Sequence, residues 1–161
     1  MPFAASRPRI PAIYGVPTDE KGLLPWSHVD QRMTEARHYW VATVAPDGGP
    51  HTRPVDGMWL DATLYFGGSE ETRWRRNLAV DPRACVNLEP GEQAVILHGV
   101  VALETPDATL AARLAEASNA KYDYGQTAAT YEGKEVLAFR PETAFAWTLL
   151  YRDATRFRRT D

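Results

Sequence analysis

The strongest constraint in this chain is a set of short segments in which apolar, β-branched and aromatic residues recur at every second position. That period is typical of strands with one buried face. Turn signals separate the segments, with Asp47-Gly48-Gly49 after the first and Pro90-Gly91 between the last two. This pattern indicates successive β-hairpins rather than parallel βαβ units. The segments predicted as strands are 39–46, 51–60, 63–68, 83–89 and 93–104.

Prolines and glycines inside these segments predict where the sheet is irregular. Pro54 removes a ladder donor, so its strand is expected to be a sheet edge or to be bulged. Gly99 predicts a bulge or a close backbone contact. Pro141 is expected to separate two further strands, at 135–140 and 143–150, and the tail RDATRFRR is able to pair with them.

Three other segments have helical spacing and recognisable starts. Ser27, with Asp30 three residues later, predicts a capped first helix. Ser69 is expected to cap the second helix, whose first turn then holds two glutamates. Thr105, followed by a proline and an acidic residue, predicts the start of the third. The predicted helices are 27–38, 70–80 and 106–120, and segment 122–134 is predicted to be a polar loop and a candidate lid.

Together these elements predict a mainly β (α+β) fold with about six strands. Successive hairpins favour an antiparallel, barrel-like sheet with helices outside it. A chain of 161 residues suits one domain of this kind, which we expect at 25–161. Four prolines in residues 1–24 forbid a continuous helix there, so this segment is predicted to be an N-terminal arm.

Composition narrows the functional classes. The formal net charge is -3 and the pI is about 5.8, which argues against a dedicated nucleic-acid binder. Cys85 is the only cysteine, so no disulfide framework is expected, and we predict a cytoplasmic protein with this thiol buried and inert. No apolar stretch approaches the roughly 20 residues of a membrane helix, and residues 1–17 lack the apolar core of a signal peptide.

The chain carries no recognisable motif for its own nucleophile or metal. Its four histidines do not pair at metal-ligand spacing, and HExxH, GxSxG and GxGxxG are all missing from the sequence. His51 shares a strand face with Arg53, which leaves two interpretations open, a hydrogen-bonded strand-end histidine or a ligand contact. If the protein is an enzyme, we therefore expect a bound cofactor to supply the reactive centre, with no catalytic side chain identified.

The segment ETRWRRNLAVDP (71–82) concentrates positive charge on one predicted helix. Trp74 and Leu78 are spaced to pack inward, which leaves the arginines free to be solvated. Alternatively, a Gly-Gly pair before the helix lets backbone approach an anion, and Arg73 and Arg76 lie one turn apart to grip a phosphate. Sequence spacing alone does not choose between these two interpretations.

The motifs HTRPV, GG and TRWRRNL follow one another in this order along the chain. With this set of motifs the sequence resembles the pyridoxamine-5'-phosphate-oxidase-like flavoproteins, and more narrowly the actinobacterial flavin/deazaflavin oxidoreductases. The resemblance is close over 27–104 and looser at NAKY (119–122), VLAFRPETAFAW (136–147) and ATRFR (154–158). It implies a six-stranded split β-barrel that forms a homodimer. It also implies that FMN or the deazaflavin coenzyme F-420 binds between the subunits.

The resemblance also implies a set of cofactor-binding residues. Three groups are expected: one on the HTRPV strand, one around the start of the basic helix, and one reaching across from the second subunit. These groups are Thr52, Arg53, Pro54 and Val55; Gly67, Gly68, Thr72, Arg73, Arg76 and Asn77; and Gln93, Ala94 and Val95.

Trp74 departs from the family pattern, because family members commonly have a phosphate-binding lysine there. Trp74 is therefore expected to stack on the cofactor ring or to fill core. The arginine-rich helix favours F-420, whose polyglutamate tail carries extra carboxylates, with FMN as the alternative.

The resulting hypothesis is an oxidoreductase that transfers hydride to or from a small conjugated substrate. The alternative is a non-catalytic flavin, haem or tetrapyrrole binding or storage protein of the same fold. Trp59, Tyr65 and Trp147 are candidate pocket walls.

Overall fold

The computed structural model describes residues 3–160, which form nine strands and five helices. All strand pairs are antiparallel. The strands are β1 (Phe3–Ser6), β2 (Tyr39–Val44), β3 (Pro50–Val55), β4 (Met58–Leu60), β5 (Thr63–Phe66), β6 (Arg83–Asn87), β7 (Val95–Glu104), β8 (Val136–Ala146) and β9 (Thr155–Arg159). The helices are α1 (Trp26–Glu35), α2 (Arg73–Val80), α3 (Ala108–Tyr122), α4 (Ala128–Tyr131) and α5 (Leu150–Asp153).

The sheet closes into a barrel with a split along β8. Strand β2 pairs with β3 and β6, β6 with β7, β7 with β8, β8 with β5, and β5 with β4. The chain itself closes the ring where β3 passes into β4 at Asp56-Gly57. The first half of β8 pairs with β5, whereas its second half pairs with β9, which in turn pairs with β1. The predicted antiparallel, barrel-like sheet with flanking helices is confirmed, although three more strands are present than predicted.

Two predicted irregularities lie where the sequence places them. Pro54 lies on β3, which is the last strand in the sheet order. Among the described strands, β3 pairs only with β2, so the predicted sheet edge is confirmed. The register of β7 against β8 shifts between His98 and Gly99, which confirms the predicted bulge. A Cβ atom at Gly99 would overlap the carbonyl oxygen of Arg140, so the bulge depends on glycine.

The prediction that Pro141 separates two strands is wrong, because β8 runs through it without a break. Pro141 pairs with Gly99 at the bulge, and it lies between the part of β8 paired with β5 and the part paired with β9. Its missing N–H group therefore coincides with an interruption of the ladders, where a donor is not required. The tail does pair, as β9, and the first residues add β1 beside it.

The predicted helix starts need correction. Neither Ser27 nor Ser69 caps a helix: α1 begins at Trp26 after Pro25, and α2 begins at Arg73 after Thr72. Asp30 instead accepts a hydrogen bond from Nε1–H of Trp59 at 2.8 Å. Helix α3 also begins later than expected, because the carboxylate of Asp107, rather than Thr105, accepts the capping bond from the backbone N–H of Leu110. The predicted loop 122–134 contains the short helix α4.

Two apolar clusters fill the fold. The larger lies inside the barrel and includes the fully buried Tyr39, Phe139 and Phe157. The smaller joins α3 to the outside of β4, β5 and β8 through Leu114, Tyr65 and neighbouring residues. Helix α3 is therefore held by packing, and its C-terminal end and the following segment are placed beside the β3–β4 junction.

Candidate functional site

Helix α2 presents different side chains to the barrel and to solvent. Trp74 and Leu78 are each only 7 % exposed, and Trp74 lies against the ring of Phe66 with centroids 5.7 Å apart. A Cβ atom at Gly68 would overlap the Trp74 ring, so glycine at 68 leaves room for this indole. Trp74 therefore packs against core residues, and its stacking on a cofactor ring stays a prediction.

Asn77 is buried and joins α2 to the sheet. Its Nδ2–H donates to Oγ1 of Thr43 on β2 at 3.0 Å, and both side chains are about 2 % exposed. The structure therefore gives this predicted cofactor-binding residue a hydrogen bond inside the protein. Thr72, also predicted to bind the cofactor, immediately precedes α2 and donates its hydroxyl to the carbonyl oxygen of Ser69.

Positive charge gathers between β3 and the start of α2. The register places His51 opposite Thr43 and Arg53 opposite Val41, so both lie on the sheet face that meets α2. Burial lowers the pKa of His51, and the positive charges of the Arg53 and Arg73 guanidinium groups lower that pKa further, so the neutral imidazole is favoured.

The two arginines, Arg53 and Arg73, have no negative partner in the part of the chain that the structure describes. Within residues 3–160, neither Arg53 nor Arg73 forms an ion pair with a carboxylate. The Nδ1 atom of His51 is buried and has no hydrogen-bond partner among these residues. A buried polar atom without a partner costs free energy, so this arrangement is suited to an external anion.

A cavity of about 600 Å³ is lined by Pro54 and Trp74, which adjoin Arg53 and Arg73 in the chain. One wall is formed by the end of β3, the β3–β4 junction, β4, β5 and Trp74; the opposite wall is formed by α3, α4 and the segment between them. Many of its side chains are aromatic, and a few are polar. The aromatic lining residues are Tyr65, Phe66, Trp74, Tyr122, Tyr124 and Tyr131, and the polar lining residues are Asp56, Ser118, Gln126 and Thr130.

Hydrogen bonds hold the second wall against the β3–β4 junction. The Tyr122 hydroxyl donates to the carbonyl oxygen of Arg37 at 2.6 Å and accepts from the backbone N–H of Gly57 at 2.9 Å. The Tyr124 hydroxyl donates to Oδ2 of Asp56 at 2.6 Å, and its ring stacks on Tyr122 with centroids 5.1 Å apart. Burial raises the pKa of Tyr122 to about 12, so its hydroxyl stays protonated and able to donate at neutral pH.

A second group of predicted residues lies away from the cavity. Arg76 lines a separate groove on the far side of α2, together with Arg75. Gln93 accepts a hydrogen bond from Arg32 at the β6–β7 turn, while Ala94 and Val95 are buried within the chain. Among the predicted residues, the structure therefore brings Pro54, Val55, Gly67 and Trp74 together on the cavity, with Arg53 and Arg73 adjoining Pro54 and Trp74 in the chain.

Sequence reasoning missed the tyrosine wall. Tyr122, Tyr124 and Tyr131 lie in segment 122–134, which is predicted to be a polar loop and a candidate lid without any named side chain, and Asp56 lies in the predicted strand 51–60. The available signal was three tyrosines within ten residues of a polar segment, which is more aromatic surface than a solvated loop needs. Tyr65 does line the cavity, whereas Trp59 packs in the core and bonds Asp30.

Comparison with known proteins identifies the family. The model of the pyridoxamine 5'-phosphate oxidase family matches residues 26–148, which is most of the chain. The chain belongs to this family. Its antiparallel barrel with a split at β8 is the family's split-barrel fold. No match was found among curated protein sequences.

Solved structures similar to this family member show the same fold at low identity. An F-420 reductase is 21 % identical with a TM-score of 0.53, over 71 % of this chain and 94 % of the other. A conserved hypothetical protein of Mycobacterium tuberculosis is 19 % identical with a TM-score of 0.59, over 73 % and 79 %. A haem-binding protein of Mycobacterium smegmatis is 24 % identical with a TM-score of 0.56, over 82 % and 58 %. These likenesses establish the fold alone.

Two further features concern residues 3–160 as a whole. No helix in this range combines the length and apolar character that a bilayer crossing requires. The same range contains no group of three or more histidine, cysteine, aspartate or glutamate side chains arranged to hold a metal ion.

Proposed function

We propose that this protein is an oxidoreductase that binds a deazaflavin or flavin cofactor and transfers hydride to or from a small conjugated substrate. The observation that carries the proposal is the uncompensated cation cluster of Arg53 and Arg73, with His51 on the same sheet face as Arg53. Pro54 and Trp74, which adjoin these arginines in the chain, line an aromatic cavity. Membership of the family supports it, since flavin and F-420 oxidoreductases share this fold.

The residues present fit the phosphate of such a cofactor. Arginine side chains bind phosphate oxygens in a bidentate manner, and neither Arg53 nor Arg73 is neutralised by a carboxylate within residues 3–160. The buried Nδ1 of His51 has no hydrogen-bond partner within residues 3–160, and a phosphate beside it would favour the protonated imidazole, which donates to an anion. A cavity of about 600 Å³ is also within the usual range for cofactor sites, roughly 300–1,000 Å³.

A bound flavin or deazaflavin would supply a ring that accepts or donates hydride. The chain's own residues bind, orient and shield that ring. Trp74 and Phe66 form an apolar surface at one side of the cavity, and Tyr122 and Tyr124 form the other. The tyrosine wall limits the entry of water, and Asp56 fixes the position of the Tyr124 hydroxyl.

We favour F-420 over FMN because α2 carries more positive charge than one phosphate requires. Arg73 lies at the cation cluster, and Arg75 and Arg76 line the neighbouring groove. The extra carboxylates of the deazaflavin tail would complement this charge, whereas FMN offers a single phosphate. Arg76 then contributes to the tail rather than to the phosphate.

We also propose that the protein is a homodimer. The outer face of β2, β3, β6 and β7 is half-exposed and largely uncharged, with Trp40 and Ala42 on it. Cys85 also lies on this face and is half-exposed, whereas the sequence predicted a buried thiol. A depression on this face is lined by strand residues, and Arg83 and Glu142 are its charged groups. Burial of this face against a second copy of the chain would form a dimer that contains two cavities. Light scattering of the purified protein is expected to give the mass of two chains.

A haem or tetrapyrrole carrier is the second candidate. It is favoured by Trp74, which places an indole where family members commonly have a phosphate-binding lysine, and by tyrosine hydroxyls that are able to ligate haem iron. Two structurally similar proteins are a haem-binding protein of M. smegmatis and a haem storage protein of Vibrio cholerae.

A cofactor screen separates the two candidates. Purified protein is titrated with F-420, FMN and haemin, with tryptophan fluorescence and visible absorbance as readouts. Trp74, on the cavity wall, is expected to be quenched by F-420 at micromolar concentration, with weaker quenching by FMN. Absence of quenching by both would overturn the proposal, and tight binding of haemin alone would establish the second candidate.

Arg73→Ala tests the cation cluster directly. Loss of a charged hydrogen bond to phosphate is expected to weaken cofactor binding by roughly 1.5–3 kcal/mol. Arg158→Ala is the matched control, because Arg158 is an exposed arginine on β9, remote from the cluster in the sheet order. If Arg73→Ala and Arg158→Ala bind the cofactor with equal affinity, Arg73 is a solvated side chain and does not contact the phosphate.

A further inference from the structure

A second groove, separate from the cavity of the proposed cofactor, lies between α2 and β7. It has a volume of about 430 Å³, within the roughly 300–1,000 Å³ typical of small-molecule sites. Strand β6 pairs with β7 only as far as Val100, so the last residues of β7 lack a strand neighbour on that side. Helix α2 lies along this gap, and the groove is the space between them.

The floor of the groove is apolar. Leu103 pairs directly with Leu137 on β8, and Val101 lies two residues before Leu103, so the register places the three side chains on one face. Leu78 of α2 completes the lining on the helix side. Leu103 is 51 % exposed, which is a large fraction for a leucine surrounded by other apolar side chains.

The rim of the groove is cationic, and it already holds a carboxylate. Nη2 of Arg75 lies 3.5 Å from Oε1 of Glu70. The Arg75 side chain is 13 % exposed and therefore held in place, whereas the Glu70 side chain is 83 % exposed and is held by little else. Arg76 also lines the groove, and it has no carboxylate partner within residues 3–160.

We propose that this groove is a second ligand-binding site for an amphipathic organic anion, a carboxylate carried on an apolar chain or ring. The apolar part lies on Val101, Leu103 and Leu137, and the carboxylate replaces that of Glu70 on Arg75. Arginine is suited to this exchange because its planar fork binds a carboxylate in a bidentate manner. None of the apolar side chains of the groove lines the larger cavity, so the organic anion does not need the cofactor in order to bind. If F-420 is the cofactor, as proposed above, its tail and the organic anion compete for Arg75 and Arg76.

Calorimetric titration with octanoate, with octan-1-ol as the uncharged probe, tests the site. We expect saturable binding of octanoate, about tenfold tighter than octan-1-ol, since a hydrogen bond to a charged group is lost with the alcohol. Arg75→Gln should weaken octanoate binding about tenfold and leave octan-1-ol binding unchanged. Arg158→Gln, an exposed arginine on β9, is the matched control and should bind like the parent protein.

Three outcomes would overturn the proposal. The first is equal binding of the two probes, or octanoate binding that Arg75→Gln does not change. The second is octanoate binding that is lost in Arg73→Ala alone, which would place the anion in the larger cavity. The third uses Leu103→Glu. We expect this variant to lose octanoate binding and to have the same mass as the parent protein by light scattering. A fall in mass for this variant would show that a second copy of the chain covers the groove.

Discussion

The two walls of the larger cavity are built in different ways. The barrel wall consists of strand residues and Trp74, fixed by ladder hydrogen bonds and by packing against the core. Most of the opposite wall, residues 122–131, is held by polar contacts at the molecular surface, such as the hydrogen bond from Tyr124 to Asp56. Its apolar support is limited to partly buried side chains, Tyr122 and Tyr131, that pack against the smaller cluster. Tyr124 is 56 % exposed, whereas Phe66 across the cavity is 2 % exposed.

This difference assigns different tasks to the walls. A densely packed wall keeps its shape and is suited to holding a flat ring and its phosphate. A wall with few buried apolar contacts opens at low free energy, so it is suited to admitting and releasing ligands. Changes in the barrel wall should therefore affect global stability, while changes in the tyrosine wall should affect local opening.

The largest effect is expected from Gly99→Ala, at the bulge that shapes the barrel. The added Cβ would overlap the backbone of Arg140, and two paired strands must separate to accept it. We expect a loss of about 3 kcal/mol in the free energy of unfolding, measured by denaturant titration. Gly91→Ala is the control, because a Cβ there meets no atom within 4 Å. Equal stability of the two variants would contradict the strained bulge.

Asn77→Ala is expected to have the next largest effect. It leaves the buried Thr43 hydroxyl without its partner, at a cost of about 1–3 kcal/mol in the free energy of unfolding. Because the bond lies inside the protein, cofactor affinity per folded molecule should not change. The double variant with Thr43→Val should lose less stability than the sum of the two single variants. Weaker cofactor binding at unchanged stability would instead restore Asn77 as a cofactor contact.

The outcome for the sequence predictions follows the same division. Local signals were sufficient for the barrel: alternation predicted the strands, and the edge at Pro54 and the bulge at Gly99 were expected from residue chemistry. The strand break predicted at Pro141 was wrong, because a proline weakens a strand only where a neighbouring strand needs its missing N–H group. Which strands lie beside Pro141 is decided by the sheet and is not visible in the local segment.

Predictions for the site depended more on tertiary structure. The resemblance named Arg53 and Arg73, but only the register shows that β3 directs Arg53 toward α2. Helical spacing grouped Arg73 with Arg76, whereas the late start of α2 and its packing place Arg76 on the other groove. The tyrosine wall was not predicted, because the contacts of Tyr122 reach Arg37 and Gly57, far away in the sequence.

Tyr124→Phe tests the tyrosine wall. It removes the bond to Asp56 but keeps the stacking on Tyr122, so we expect local opening to increase while global stability is unchanged. The measurement is native-state hydrogen exchange of residues 122–131, which should become a few-fold faster. Tyr151→Phe, at another exposed tyrosine, is the control. Unchanged exchange in Tyr124→Phe would show that the wall is held by its packing.

The smallest effect is expected at Lys121, where α3 anchors the tyrosine wall. Its ammonium group donates to the Tyr39 hydroxyl at 2.7 Å and lies 5.1 Å from the centre of that ring. Burial, with a contribution from the nearby Arg37 guanidinium, lowers the pKa of Lys121 from 10.5 to about 8. Between these two values the unfolded chain binds a proton that the folded chain has released, so stability rises with pH.

This rise is visible only below the ionisation of the tyrosines. Burial raises the pKa of Tyr122 from 10.0 to about 12, so above pH 10 the unfolded chain loses a proton that the folded chain keeps, and stability falls. Urea titrations at about pH 7 and pH 9.5 avoid that region. The parent should gain roughly a few tenths of a kcal/mol relative to Lys121→Met, because solvent screens a half-buried charge. Lys134→Met should follow the parent. Parallel curves for the parent and Lys121→Met would mean that the ammonium is solvated, and that the tyrosine wall is anchored by Tyr122 alone.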